Sequence, residues 1–402
     1  MSPLRSLIFV AAFAANAVAS ETDTHDANSR TVRAAVERSL PVIERGGTEW
    51  MQERSCNSCH AVTFLVWSHN EALAHGLKVD RKKLAEWVNW SLADSLAEKR
   101  WFKLRPRAMA ALEAGSLAGP MLAKLKPLSG TTYQTQKEFL DALEKVLGKS
   151  DLESHKDELI RHGTLPNDGG GPDTLAQLLL GRASLSEEKA TTKSYNAIRA
   201  LLLEWQELKG SWLAAGQLPS LKWGNEKEMH GATTMWSILA LTADKSTDEA
   251  VSASRQQALE FLKETKPGIT LQSLALQLIV AQKFGDPSQP NASRQQLLER
   301  QNADGGWSWL RTNQTSDAFA TGQALYALGQ TGNQKNPAVQ RAWQFLLRTQ
   351  DADGGWDVPQ NAINTRPRKL NVYPLWGSAW AAIGMLETLP KPDSQPAILH
   401  RE

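Results

Sequence analysis

Two kinds of segment alternate along the chain from Thr31 onward. In one kind, apolar residues return at helical spacing, as in Tyr195, Ile198, Leu202 and Trp205, and again in Val339, Ala342, Trp343 and Leu346. In the other kind nearly every position is apolar, as over 234–241, 271–281, 318–328 and 376–386. A helix with one apolar stripe covers a core from outside, whereas a helix apolar all round must be enclosed. The alternation therefore predicts an all-α protein in which amphipathic outer helices surround buried inner ones. Residues 173–180 read as an earlier inner helix, and residues 21–30 as a polar, frayed lead-in.

The connections between these segments repeat. Gln301-Asn302-Ala303-Asp304-Gly305-Gly306-Trp307 returns 49 residues later as Gln350-Asp351-Ala352-Asp353-Gly354-Gly355-Trp356. Residues 206–212 keep the Gln-to-Trp spacing with Gly210-Ser211 between, and residues 44–50 keep it with Glu44 in place of Gln. Adjacent glycines allow the positive φ at which an outer helix ends. The Trp is then free to cover the next helix start while the Gln amide caps exposed helix-end groups. Ser254 and Ser293, each followed by Arg-Gln-Gln, fit a capping box, and Asn336-Pro337 reads as an N-cap with proline at the first helical position. A recurrence every 40–50 residues is the mark of stacked helix pairs.

These Gln-x-x-x-Gly-x-Trp turns resemble the QW repeats of the squalene–hopene cyclase and prenyltransferase superfamily, most closely over residues 190–390. The resemblance implies an α/α toroid of helix-pair repeats around a central cavity, and the N-terminal part is similar to variants in which CxxCH follows the first such turn. It does not carry the superfamily's chemistry. The cyclases protonate their substrate through Asp-x-Asp-Asp, which does not occur here; Thr315-Ser316-Asp317-Ala318 offers one carboxylate at an inner-helix start. The zinc prenyltransferases need a cysteine ligand, and both cysteines of this chain lie elsewhere. Neither cyclase nor prenyltransferase activity is expected.

Composition refines this picture in three places. A net charge of +2, with Lys and Arg interspersed among acids, leaves no footprint for nucleic acid. Residues 1–19 read as a secretory signal, with Arg5 before a short apolar run and Ala17-Val18-Ala19 at the cleavage position. An exported, periplasmic protein without a membrane span after cleavage is the expectation. The predicted division is a signal peptide over 1–19, a helical haem-bearing segment over 20–130, a QW-repeat toroid over 131–390 and a tail over 391–402.

The third place is the cysteine pair. The chain has two cysteines, both in Cys56-Asn57-Ser58-Cys59-His60. That motif sets two thiols one helical turn apart to add to haem vinyl groups and directs the adjacent imidazole at the iron. A thioredoxin-like pair, a structural disulfide and a zinc site compete, but they lack respectively a βαβ context, a use for His60 and further ligands. One covalent haem c is expected, held by Cys56 and Cys59, with His60 as proximal ligand. Its place in the repeat, after residues 44–50, puts it at the N-terminal end of an inner helix.

For the distal position His69 and His75 sit roughly 13 and 22 Å along the helix from His60, out of reach. Met121, in a loop-like Gly119-Pro120-Met121, is the leading distal candidate, ahead of Met109, His155, His162 and His230. Trp50, Trp212, Trp307 and Trp356 belong to the turns, while Trp87, Trp90 and Trp101 are candidates for a haem or pocket wall. The resulting expectation is a periplasmic electron carrier with a redox partner protein. The alternatives are a haem enzyme with an open iron, or a toroid that binds or senses a small apolar ligand in its cavity.

Overall fold

The computed structural model describes the chain apart from residues 1–3, 55–60, 97–100, 166–170, 183–188, 215–225, 244–247, 286–288, 359–372 and 391–402, with short breaks between 103 and 118 and at 134–135, 208, 213, 266–267 and 313–314. The described residues are overwhelmingly helical, as the patterning predicts. They form two compact units built from interleaved stretches of chain: one from 1–48, 64–84 and 268–402, the other from 49–63 and 85–267.

The first unit takes most of α1 (Leu4–Arg54) and α2 (Val62–Ala74), together with α11 (Leu271–Phe284), α12 (Gln289–Glu299), α13 (Ala318–Gln330), α14 (Pro337–Thr349) and α15 (Tyr373–Thr388). Helices α13 and α15 are buried almost throughout, and α14 buries one stripe, so inner and outer helices fall where the apolar pattern puts them. The two inner helices pack backbone to backbone. A Cβ on Gly322 would strike the Trp380 carbonyl and lie 2.7 Å from the Ala381 nitrogen, and one on Gly384 would lie 2.9 Å from the Gly322 Cα. Around this contact Trp380 meets Phe64, Trp67 and Tyr326 edge-on, with ring centroids 5.6, 5.6 and 5.7 Å apart. Such pairs contribute about 0.5–1.5 kcal/mol each beyond area burial.

The second unit holds most of α3 (Arg81–Leu96), then α4 (Gly119–Leu125), α5 (Gln136–Leu147), α6 (Lys149–Gly163), α7 (Pro172–Leu180), α8 (Lys189–Glu204), α9 (Glu226–Leu241) and α10 (Glu249–Glu264). A two-residue antiparallel pairing of β1 (Trp101–Phe102) with β2 (Thr164–Leu165) clasps the α4–α6 region. Its core includes Leu104, Leu112, Phe139, Leu143 and Leu159. The inner helices are α7, buried from Pro172 to Leu179, and α9, buried over 231–241.

The repeated turns are the same object three times. In each, the Gln amide donates to the carbonyl four residues on and to a carbonyl of another outer helix: Gln206 to Gly210 and Ser254, Gln301 to Gly305 and Ala338, Gln350 to Gly354 and Ala35, all at 2.8–2.9 Å. The Trp indole donates back to the carbonyl ten residues earlier, in Trp212 to Leu202, Trp307 to Leu297 and Trp356 to Leu346. Gly210, Gly305 and Gly354 have φ of 86, 90 and 93°, and each lies so close to a helix backbone that any side chain would collide. The Gln thus ties an outer helix to its neighbour and does not cap helix-end groups.

Three local expectations change. Residues 21–30 and 44–50 both belong to α1, so the fourth QW-like copy is helix and not a turn. Its glycines serve close packing: a Cβ on Gly47 would lie 2.8 Å from the Leu65 side chain, and one on Gly46 3.4 Å from Leu375. Ser254 and Ser293 lie inside α10 and α12, because Asp248 is the N-cap of α10 and α12 starts at Gln289. Asn336 is an N-cap, its side chain accepting from the Ala338 N–H at 2.9 Å.

Candidate functional site

The inner helices are apolar by composition, so the polar side chains buried on them stand out. In the first unit Asp317 caps α13. Its carboxylate accepts the Ala320 N–H at 2.7 Å and is also bonded by the backbone N–H groups of Trp309 and Phe319. Burial pushes Asp317 up to about 7 even against these three donors. One turn and a half into the same helix, Gln323 donates to Gln272 of α11 at 3.2 Å. Burial lowers His69, whose Nδ1 lies 2.8 Å from the Leu65 carbonyl, to about 4, so the ring is neutral at ordinary pH.

The second unit contains a differently held acid. Helix α7 opens with Gly171 as N-cap and Pro172 at its first position, which places Asp173 in the first turn. The side chain is 3% exposed. Thr233 of α9 donates its hydroxyl to Asp173 Oδ1 at 3.0 Å, while Oδ2 has no hydrogen-bond partner among the described residues. Burial pushes the acid up to about 7, and the Thr233 bond opposes that shift. The helix N-terminus also favours an anion, typically by under about 1 kcal/mol, so desolvation outweighs it. Asp173 therefore keeps its proton to a higher pH than an exposed aspartate, with one oxygen bonded and the other unpartnered among the described residues.

Around it the second unit supplies more polar groups. Gln177, one turn along α7, accepts the Thr63 hydroxyl at 2.6 Å, both side chains being buried. Glu228, in the first turn of α9, is a second buried carboxylate. His230 follows it, half-buried. The Asp173–Thr233 pair can hold a proton on a buried oxygen and orient it through a hydroxyl.

Cys56, Cys59 and His60 lie outside the described residues. Met121 stands in the first turn of α4, not in a loop, because Gly119-Pro120 starts the helix; it packs with Met109 on the hydrophobic cluster of α4–α6. His155 lies 4.0 Å from Glu158 on α6. The backbone carbonyl of His230 accepts the Thr234 hydroxyl at 2.7 Å, and the side chain of His162 lies outside the described residues. Trp87 is buried in α3 and Trp90 half-buried there. Among the described residues no three His, Cys, Asp or Glu gather as a metal site, and no helix is long and apolar enough to cross a membrane. Sequence patterning passed over Asp173 as part of an apolar run; an acid heading an otherwise apolar inner helix was the available signal.

No protein-family model matches the chain. Solved structures similar to it include a wild-type glycosidase, 13% identical, covering 90% of this chain and 98% of its own, with a TM-score of 0.48. A type II terpene cyclase from Scytonema in complex with geranylgeranyl dihydroxybenzoate is 16% identical over 82% of this chain and 99% of its own, with a TM-score of 0.35. A glycosyl hydrolase of family 88 from Bacteroides vulgatus is 12% identical over 88% and 99%, with a TM-score of 0.34. These structures are named as a glycosidase, a terpene cyclase and a glycosyl hydrolase, and none of the three as an electron carrier. The reading of the chain as a cytochrome c that carries electrons is withdrawn.

Proposed function

We propose that the chain is an enzyme in which Asp173 donates a proton to an oxygen leaving group, with Glu228 as the second carboxylate. The observation that carries this reading is Asp173 Oδ2, buried on an inner helix with no hydrogen-bond partner among the described residues. An orphaned buried polar atom costs about 1–3 kcal/mol, so packing alone gives no reason to keep it. An acid held near 7 is matched to proton transfer at neutral pH. It is a weak acid for protonating a carbon–carbon double bond, which favours an oxygen lone pair as acceptor. The substrate class is then an acetal, glycoside or activated ester.

The step balances without a further reactant except water. The Asp173 O–H bond breaks as the substrate's C–O bond breaks, and the departing oxygen keeps the electron pair and takes the proton. Glu228 steadies the electron-poor carbon or takes a proton from the attacking water, whose oxygen bonds to that carbon. A proton from solvent then restores the Asp173 acid. A panel of alkyl glycosides, disaccharides and alkyl esters, whose departing oxygens need a proton, tests this: one member should be turned over by the wild type and lost in Asp173→Asn. Turnover of the same substrate at undiminished rate by Asp173→Asn rejects the reading.

The covalent haem is carried as a separate cofactor proposal for an exported protein, and it rests on the Cys56–His60 motif and the signal-like residues 1–19. Ala61, Val62 and Thr63, which follow the motif directly, are fully buried, consistent with a group attached at the edge of a packed interior. Bound there, it would supply an iron centre; no step above passes through it. The intact mass of mature protein made in a host that matures c-type haem should exceed the sequence by one haem, and an unshifted mass rejects it.

A further inference from the structure

We infer that Thr233 is a positioning residue that fixes the transferable proton of Asp173 on Oδ2. The inference rests on the proton-donor reading of Asp173 and adds the atom that carries the proton and the group that chooses it.

Helix α9 carries three neighbouring hydroxyls. Thr234 donates to the His230 carbonyl at 2.7 Å, and Ser237 to the Thr233 carbonyl at 2.9 Å; both are the usual return of a helical hydroxyl to its own backbone. Thr233 instead reaches across to α7 and donates to Asp173 Oδ1 at 3.0 Å. An oxygen that receives a hydrogen bond is the carbonyl oxygen of a protonated carboxyl, because the acid's hydroxyl oxygen is the one that donates. With Oδ1 taken, the proton belongs on Oδ2, the oxygen without a partner among the described residues. The Gln177 amide oxygen, held by Thr63 at 2.6 Å, fixes the next turn of α7 and so the direction in which Asp173 points.

The hydroxyl also tunes the acid. A bond to Oδ1 favours the carboxylate and moderates the rise that burial imposes. On α8 and α9, which pack against α7, the described ionisable side chains are Lys193, Tyr195, Arg199 and Glu204 of α8 and Glu228 and His230 of α9. None of them shifts Asp173 appreciably; burial and Thr233 do. Removing the hydroxyl should therefore be read directly in the acid's midpoint.

The test uses the full chain with ¹³C-labelled aspartate, the Asp173 carboxyl resonance being assigned by its loss in Asp173→Asn. Thr233→Val, which keeps the shape, should raise the Asp173 titration midpoint by roughly one pH unit. The basic limb of the kcat/KM profile should move with it, and Thr233→Ser should restore both. If the midpoint stays or falls in Thr233→Val, or Thr233→Ser fails to restore it, the assignment of Thr233 is wrong. Thr233→Ala gives the same readout if the valine variant does not fold. A midpoint that moves as expected while Asp173→Asn retains full turnover leaves Thr233 in place and removes the proton-donor reading, so the two failures are distinct.

Discussion

Asp317 and Asp173 stand at corresponding places in the two units, each at the start of an inner helix, each buried and each pushed up to about 7 by desolvation. Their partners differ. Asp317 is held by three backbone N–H groups and closes the end of α13, whereas Asp173 has one hydroxyl on Oδ1 and, among the described residues, nothing on Oδ2. The difference teaches that burial and a raised midpoint do not make a reactive acid. A carboxyl whose oxygens are engaged by its own helix is structure; one with an open buried oxygen is available for chemistry.

The largest effect that sharpens this contrast is on turnover. Asp173→Asn should reduce kcat by about 10²–10⁴-fold, the usual weight of a general acid, with a melting temperature at or above wild type. Rates on the active alkyl glycoside or ester beside thermal melts check both halves. The second effect compares the repeats of the two units. Trp212→Ala and Trp307→Ala should each destabilise by about 3–5 kcal/mol in denaturant unfolding, because both rings are fully buried and make the same indole bond. A cost near zero at Trp212 would show that the turn in the second unit is not equivalent to the others.

Smaller is the loss of the helix cap. Asp317→Ala should cost about 0.5–2 kcal/mol without changing the pH profile of turnover, the reverse of Asp173→Asn. The smallest is a pH effect on stability. Asp173 ionises near 4 when unfolded and near 7 when folded, so stability present below about 4 is lost as pH rises to about 7. Asp317 acts in the same direction and His69, lowered from 6.5 to about 4, in the opposite one. Subtracting the Asp173→Asn melting curve from wild type at each pH isolates one falling component across that window.

Much of the fold was legible in the sequence. Period 3.6 separated outer from inner helices, and the Gln-to-Trp spacing predicted three turns whose bonds repeat atom for atom. The fourth copy misled because Gly46-Gly47 has the same composition with a different use, close contact with Leu65 and Leu375, which only tertiary structure reveals. The loop reading of Gly119-Pro120 misled similarly, since Gly-Pro opens a helix as readily as it shapes a loop. The acid site was illegible for another reason. Asp173 and Thr233 are sixty residues apart, and the open Oδ2 depends on what does not face it, which no spacing encodes.

The central claim, that Asp173 is a protonated acid near neutral pH, is tested most directly by infrared difference spectroscopy of wild type against Asp173→Asn. At pH 6 the difference should contain the carbonyl stretch of one protonated carboxyl, and the band should give way to carboxylate as pH passes about 7. A difference spectrum showing only carboxylate at pH 6 would contradict the account.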